Sequence, residues 1–312
     1  MILLKVNNLH TYFQTDNGLV KAVQGVSFEL NKNKSLGIIG ESGSGKTQIV
    51  MSILQLLKEN QTIYEGQIIF KDQIISTFND QEMEKIRGDK IAMIFQDPVA
   101  GLNPVLKIKK QIMEVLIIHR QMSSERAFQQ ALKLLKLVEI NDPERVMSSY
   151  PYQLSGGMCQ RVMIAIALAC EPEILIADEP TTAIDVLVQK EILQLIKNLQ
   201  KKHKMALLFI THDLGVVSRV ADNIIVLYKG QIVEKASSSV LLKNPLHPYT
   251  KKLLNDFLIT SVNFNHYDEA TDFYNAENAK FDFRVFKKDG LPDPDLLQIS
   301  SEHWVRCTIN KK

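Results

Sequence analysis

No stretch of these 312 residues is apolar enough to cross a bilayer as a helix. The longest uninterrupted apolar run near the middle is Val162 to Cys170, nine residues, against the ~20 that a spanning helix needs. Cysteine is scarce. Cys159, Cys170 and Cys307 are odd in number, widely spaced and never in a CxxC pair. Neither a disulfide framework nor a zinc site is indicated, and the usage suits a reducing, cytoplasmic interior. Glycine and proline number only 14 and 10, far below the ~25% of collagen-like or low-complexity chains. Neither charge sign dominates: 37 basic residues against 35 acidic leave a net +2, with no large basic footprint for nucleic acid. The first residues, Met1-Ile-Leu-Leu-Lys5, put the lysine after the apolar residues and lack a cleavage-like site. They read as a first strand and not as a signal peptide.

What is present alternates. Leu3 to Leu9, Lys21 to Leu30 and Ser35 to Ile39 are strand-like runs. After Thr47 the apolar spacing turns helical, at Ile49, Ile53, Leu54 and Leu57. Strand patterns return at Gly66 to Phe70 and Lys90 to Phe95, and a long helical stretch runs from about Pro98 to Tyr152. Then come helix Met158–Cys170, strand Ile174–Ala177, helix Asp185–Lys202, strand Met205–Ile210 and strands Asn223–Tyr228 and Gln231–Glu234. Strands alternating with helices imply an α/β core with a largely parallel sheet, interrupted by a helical insertion. Residues 261–312 have weak periodicity yet hold eight of the 22 aromatics, including Trp304. Disordered tails are poor in aromatics, so this part reads as an irregular appendage packed on something.

Three motifs carry chemistry. Gly40-Glu41-Ser42-Gly43-Ser44-Gly45-Lys46-Thr47 fits GxxxxGK[ST] between a strand and a helix, the context of a P-loop. Its backbone N–H groups can surround phosphate oxygens, Lys46 can reach the β- and γ-phosphates, and the Thr47 hydroxyl can ligate Mg²⁺. Ile174-Leu-Ile-Ala-Asp178-Glu179 is an apolar strand ending in two carboxylates. Asp178 suits a direct or outer-sphere Mg²⁺ contact, and Glu179 can polarise an attacking water. Ser155-Gly156-Gly157 opens a helix. Alone, Ser155 is an ordinary N-cap, but such a start is also an anion site of the P-loop type.

Leu154-Ser-Gly-Gly-Met158, about a hundred residues after the P-loop and just before the paired carboxylates, resembles the signature of ABC transporter ATPases. The resemblance implies a P-loop NTPase (RecA-like) core with an antiparallel β subdomain and an inserted α-helical subdomain. It assigns further residues by motif. Gln96, after strand Ile91–Phe95, matches the Q-loop glutamine, which contacts Mg²⁺. Thr182-Ala-Ile-Asp185 matches the D-loop, and His212 in Phe209-Ile-Thr-His-Asp213 matches the switch histidine. Phe13 lies where the family places an adenine-stacking aromatic, with Tyr12 beside it as the other candidate. Without this company, Gln96 would be a loop hydrogen-bonder, Asp185 an N-cap and His212 a strand-end histidine.

The likeness narrows to oligopeptide and dipeptide permease ATPases, nearest their D-type subunit, through Ile94-Phe-Gln-Asp-Pro98, Leu102-Asn-Pro104, Asn244-Pro-Leu-His-Pro-Tyr-Thr250 and His303-Trp-Val-Arg-Cys307. It implies an ATP-binding domain over 1–260, with a helical subdomain at about 98–160, and an extension over 261–312. It implies Mg²⁺ as cofactor, ATP hydrolysis coupled to peptide import, and a peripheral position on the cytoplasmic face of the membrane. The implied partners are a homologous F-type ATPase, two membrane permeases and, indirectly, an extracytoplasmic peptide-binding protein, with no nucleic acid. In the family, Ser155-Gly156-Gly157 of one subunit serve the nucleotide of the other, and Asp185 is likewise implied to bind nucleotide. Relatives often carry a cysteine-rich extension that can hold an iron–sulfur cluster. Here that segment has only Cys307, and one thiolate cannot stand in for four ligands. Cys159 where relatives often have Arg, and Ile184 for the usual Leu, leave the phosphate-facing residues intact. The main alternative is the same ATPase role in a nickel or metal-chelate importer. A soluble ABC ATPase acting on nucleic acid would need paired modules or long coiled coils, and a small-molecule kinase would not need Ser155-Gly156-Gly157 or Gln96.

Overall fold

The computed structural model describes residues 1–16, 18–57, 62–182, 184–261, 281–282 and 295–309. Strands β1 (Ile2–Thr15) and β2 (Gly18–Asn31) form an antiparallel hairpin, and β3 (Ser35–Ile39) leads into helix α1 (Lys46–Ile53). Next come β4 (Thr62–Phe70), β5 (Gln73–Ile74), α2 (Asp80–Glu84) and β6 (Ile91–Ile94). The helical stretch resolves into α3 (Ile108–Arg120), α4 (Ser124–Leu137) and α5 (Pro143–Ser148), and the helix expected at Met158–Cys170 is α6 (Gly156–Ala167). Then follow β7 (Ile174–Asp178), α7 (Val186–His203), β8 (Ala206–Thr211), α8 (Leu214–Val220), β9 (Asn223–Tyr228), β10 (Gln231–Ser237), α9 (Ser238–Lys243) and α10 (Pro248–Ser261). Four short strands end the chain: β11 (Phe281–Asp282), β12 (Leu296–Ser300), β13 (His303–Arg306) and β14 (Thr308–Ile309).

These strands make a four-stranded antiparallel sheet, β2-β1-β4-β5, an eight-stranded sheet, β12-β13-β10-β9-β3-β8-β7-β6, and a two-stranded pair, β11-β14. The central strands β9, β3, β8, β7 and β6 pair in parallel. Both faces of this core are covered, which its residues record. In β8, Leu207 and Phe209 enter the cluster shared with the inserted helices. Ala206, Leu208 and Ile210 enter the cluster shared with α1 and the antiparallel sheet. Alternate residues of a strand face opposite sides, so a strand that is apolar throughout must lie between two layers.

The inserted helices stand between β6 and β7 and are capped locally. The Ser123 side chain accepts the Arg126 N–H at the start of α4, and Asp142 accepts the Arg145 N–H at α5. Helix α4 turns Ala127, Ala131, Leu134 and Leu135 inward, the i, i+4, i+7, i+8 stripe of an amphipathic helix.

The last part of the chain is more regular than its sequence texture. Within the described residues of the extension, β12 and β13 continue the large sheet beyond β10, pairing His303 with Ala236 and Val305 with Glu234. The physical cause is a short alternation: His303, Val305 and Cys307 are buried, while Trp304 and Arg306 between them are partly exposed. Two short strands carry that pattern too briefly to stand out among polar neighbours. Most of residues 261–294 lie outside the described residues.

Candidate active site

Strand β3 ends in the middle of the sheet and releases the loop 40–45 into a cavity of about 920 Å³. Two glycines are needed there for distinct reasons. A Cβ on Gly40 would sit 2.2 Å from the Leu227 carbonyl oxygen, so only hydrogen fits. Gly45 has φ of 105° and occupies the N-cap position of α1, a left-handed conformation that L side chains resist. Glu41, Ser42, Gly43, Gly45, Lys46 and Thr47 line the cavity. Gly40 and the buried Ser44 lie outside that lining.

Lys46 is 5% exposed. Its Nζ donates to the carbonyls of Gly40 at 2.8 Å and Glu41 at 3.0 Å. Burial lowers its pKa, opposed chiefly by Glu179 and then Asp178. Its ion pair with Glu179 Oε1 spans 3.7 Å.

Glu179 is the hub. Its Oε2 accepts from Gln96 Nε2 at 3.2 Å and from the Thr182 hydroxyl at 3.0 Å, and meets His212 Nδ1 at 3.2 Å. Its backbone adopts φ of 44°, a left-handed turn that a non-glycine residue rarely takes. Such strain recurs where a side chain must be aimed. Gln96, Glu179 and His212 come from the ends of β6, β7 and β8, so parallel pairing brings them together. This is the carboxyl edge of an open α/β sheet, where such folds bind ligands.

Asp178 is the more deeply buried of the two paired carboxylates, 2% exposed. Burial raises its pKa, against a hydrogen bond from Thr47. Its Oδ1 has no partner. A buried carboxylate oxygen without a donor, beside a hydroxyl and a phosphate-type loop, suits a hard divalent cation with oxygen ligands. Thr47 and Asp178 therefore offer donors of the kind that suit Mg²⁺, and Gln96 lines the same cavity as Thr47.

Phe13 lines the cavity, together with Val20 and Ala22. Tyr12 does not line the cavity; its hydroxyl bonds His10 Nδ1 at 2.7 Å. Ser155, Gly156, Gly157 and Asp185 also lie outside the cavity lining. Ser155 caps α6 by accepting the Met158 N–H. Ser155 and Gly156 are exposed, and nothing lies within 4 Å of a Cβ built on Gly156. Asp185 occupies the N-cap position of α7 without a side-chain cap bond. One chain thus assembles the P-loop half of a site and presents the Ser-Gly-Gly helix start elsewhere.

The sequence reading missed the wall supplied by α10, whose Leu253 and Asp256 line the cavity. They stand about 200 residues after the P-loop, and only their i, i+3 spacing marks them as sharing a helix face. Among the described residues, no group of three or more His, Cys, Asp or Glu side chains could hold a metal ion by itself. No described helix is long and apolar enough to cross a membrane.

Comparison with known proteins agrees with this geometry. The family profile described as "ABC transporter" matches residues 23–182. The oligopeptide transport ATP-binding protein AppD of Bacillus subtilis (strain 168) is 49% identical over 98% of this chain and 88% of its own length. The dipeptide transport ATP-binding protein DppD of the same organism is 48% identical over 81% of this chain and 76% of its own. Among solved structures, the ATP-binding cassette MJ0796, in a dimeric post-hydrolysis state bound to ADP and Pi, superposes with a TM-score of 0.68. It is 32% identical, covering 76% of this chain and 99% of that one.

Proposed function

The chain belongs to the ABC transporter family, and from that membership we propose that it is the ATP-hydrolysing subunit of an importer of oligopeptides or dipeptides. The cargo reading is supported by the names of the oligopeptide and dipeptide transport relatives. Its partners are membrane permease subunits. It attaches to them peripherally, on the cytoplasmic face.

The observation that carries the enzymatic reading is the convergence of Lys46, Gln96, Glu179 and His212 around one cavity, with Asp178 behind them. Lys46 holds the β- and γ-phosphates, and the loop N–H groups with the α1 N-terminus take the remaining phosphate charge. Phe13 stacks on the adenine through its ring face. Thr47, Asp178 and Gln96 hold Mg²⁺, which when bound neutralises charge on the phosphate oxygens. Glu179 orients and polarises the attacking water, and His212 contacts the γ-phosphate. The shared carboxylate oxygen of Glu179 makes Gln96 and His212 sensors of the same event. Movement of Gln96 and the helical segment after it passes the nucleotide state to the permeases.

Residues 1–260 form the nucleotide-binding domain, with its helical subdomain at about 98–160, and 261–312 form the extension. Ser155-Gly156-Gly157 and Asp185 act in trans, on the nucleotide held by an F-type partner cassette. A γ-phosphate bound by one helix N-terminus keeps exposed oxygens, and a second helix start covers them and excludes water. The dimeric state of MJ0796 supports this arrangement.

The test uses the assembled transporter with the partner's P-loop lysine intact or replaced. Lys46→Ala abolishes ATP binding by this chain. Ser155→Arg leaves that binding unchanged and stops hydrolysis at the partner's P-loop. Loss of ATP binding by the isolated Ser155→Arg chain refutes the composite site. Transport of nickel chelates in place of peptides, by the same assembly, refutes the cargo.

A further inference from the structure

Two motifs singled out in the sequence, 244–250 and 303–307, have no place in the chemistry above, and they meet at one buried carboxylate. Glu234 is 0% exposed, on β10. Its Oε1 accepts the Leu246 N–H at 2.8 Å and His303 Nε2 at 2.7 Å, and its Oε2 accepts the His247 N–H at 3.0 Å. A carboxylate only accepts, so His303 carries its proton on Nε2. His303 belongs to β13, in the C-terminal extension. Leu246 and His247 lead into α10.

The same segment then reaches the nucleotide loop. His247 Nδ1 accepts the Tyr249 N–H at 3.1 Å. Tyr249 is 3% exposed, its ring packed 4.4 Å from that of Tyr228. Its hydroxyl accepts the Glu41 N–H at 2.8 Å. That N–H belongs to the peptide unit whose carbonyl, on Gly40, accepts from Lys46 Nζ at 2.8 Å. A peptide unit is planar, with N–H and C=O pointing oppositely. Holding one end therefore sets the direction of the other.

We propose that Tyr249 is a positioning residue of the P-loop: its hydroxyl fixes the Gly40–Glu41 peptide and thereby Lys46, and the C-terminal hairpin holds Tyr249 in place through His303 and Glu234. The extension is thus part of the nucleotide-binding apparatus of its own chain. Burial supports the rigidity of the link. Removing one donor from a fully buried carboxylate leaves it under-satisfied at a cost that neighbouring backbone must absorb by moving. The ion pair of Lys252 Nζ with Glu41 Oε1, 3.1 Å, ties α10 to the same loop residue at the surface.

The inference rests on the assignment of loop 40–47 as the nucleotide site, and the test separates the two. Fluorescent mant-ATP is titrated into the full-length chain. Tyr249→Phe keeps the ring and loses the acceptor; it raises the dissociation constant about five-fold, the worth of one neutral hydrogen bond. In the assembled transporter it raises KM for ATP with kcat within about two-fold, the pattern of lost uniform binding. His303→Leu weakens binding in the same direction, and His303→Gln, which retains a donor, restores it. The double variant Tyr249→Phe/His303→Leu binds no more weakly than the weaker single variant, because both act through one contact. Unchanged affinity in Tyr249→Phe, while Lys46→Ala abolishes binding, overturns the inference alone. Additive effects of the two substitutions overturn the link to the extension. Unchanged affinity in Lys46→Ala overturns the site assignment itself.

Discussion

Glu179→Gln changes one oxygen to an amide nitrogen and should pull binding and turnover in opposite directions. In the ligand-free chain the carboxylate faces Lys46 at 3.7 Å, with both groups nearly buried. At an effective dielectric of ~20 that pair carries about 4 kcal/mol of gross Coulomb attraction. Nucleotide binding must exchange this partner of Lys46 for phosphate oxygens, and it brings those anionic oxygens towards the Glu179 charge. The amide removes both obstacles. Net worths of charge-assisted contacts are ~1.5–3 kcal/mol, so ATP affinity should rise about ten-fold or more. Turnover should fall by about 10²- to 10⁴-fold, the usual contribution of a general base. The remaining neighbours stay in reach: an amide oxygen still accepts from Gln96 Nε2 and the Thr182 hydroxyl. The assay is mant-ATP binding by the isolated chain, paired with phosphate release by the assembled transporter. Weaker ATP binding would show that Glu179 helps to build the phosphate site and does not compete with it. Wild-type turnover would remove Glu179 from the chemistry.

Asp178→Asn replaces a buried carboxylate whose pKa is raised by burial. The folded state binds that proton more tightly than the unfolded chain, so the ionised form destabilises the ligand-free fold at neutral pH. The amide should raise the nucleotide-free melting temperature by about 1.5 °C, for ~1 kcal/mol in a chain of this size, while Mg²⁺-dependent hydrolysis is lost; a lower melting temperature refutes the burial argument. His247 is pushed by burial, and secondarily by Arg306, from 6.5 down to about 3. The unfolded chain takes up this proton first as pH falls, so stability present above pH 6.5 declines towards pH 3, by up to ~1.4 kcal/mol per pH unit. His247→Gln should flatten that acid limb in melts between pH 6.5 and 4, and an unchanged slope assigns the acid sensitivity elsewhere. Aerobic or anaerobic preparations should carry no stoichiometric iron or acid-labile sulfide. The Cys307 thiol is buried and pushed up to about 11, so it stays protonated at neutral pH. Stoichiometric iron with visible absorbance refutes this expectation.

The chemistry-bearing residues were legible wherever a short motif carried its own local geometry. Gly40 to Thr47 needs only a strand, a turn and a helix start, all encoded within about fifteen residues. The apolar run Ile174 to Ala177 marks a doubly covered strand by composition alone, and its carboxylates follow at its end. Ser155-Gly156-Gly157 likewise declared a helix start. The choice between Phe13 and Tyr12 was not legible, because strand alternation sends adjacent residues to opposite faces and only the neighbouring sheet says which face meets the cavity. The last two sheet strands were hidden for a related reason. A four-residue alternation such as His303 to Arg306 becomes a strand only because β10 offers it an unpaired edge.

By itself, then, the sequence determined the local devices: the phosphate loop, the paired carboxylates, the helix starts and the family they announce. Each depends on backbone conformations that a few consecutive residues dictate. The tertiary structure alone decided their convergence. Gln96, Glu179 and His212 reach one point because β6, β7 and β8 lie side by side in parallel, a pairing set by burial on both faces of the sheet. It also decided that Leu253, Asp256 and Tyr249 of α10 come to the nucleotide loop, and that His303 supports them through Glu234. Such contacts join residues up to about 200 positions apart. No local spacing encodes them, because what selects them is the shared cost of leaving buried polar groups unpaired once the layers have closed.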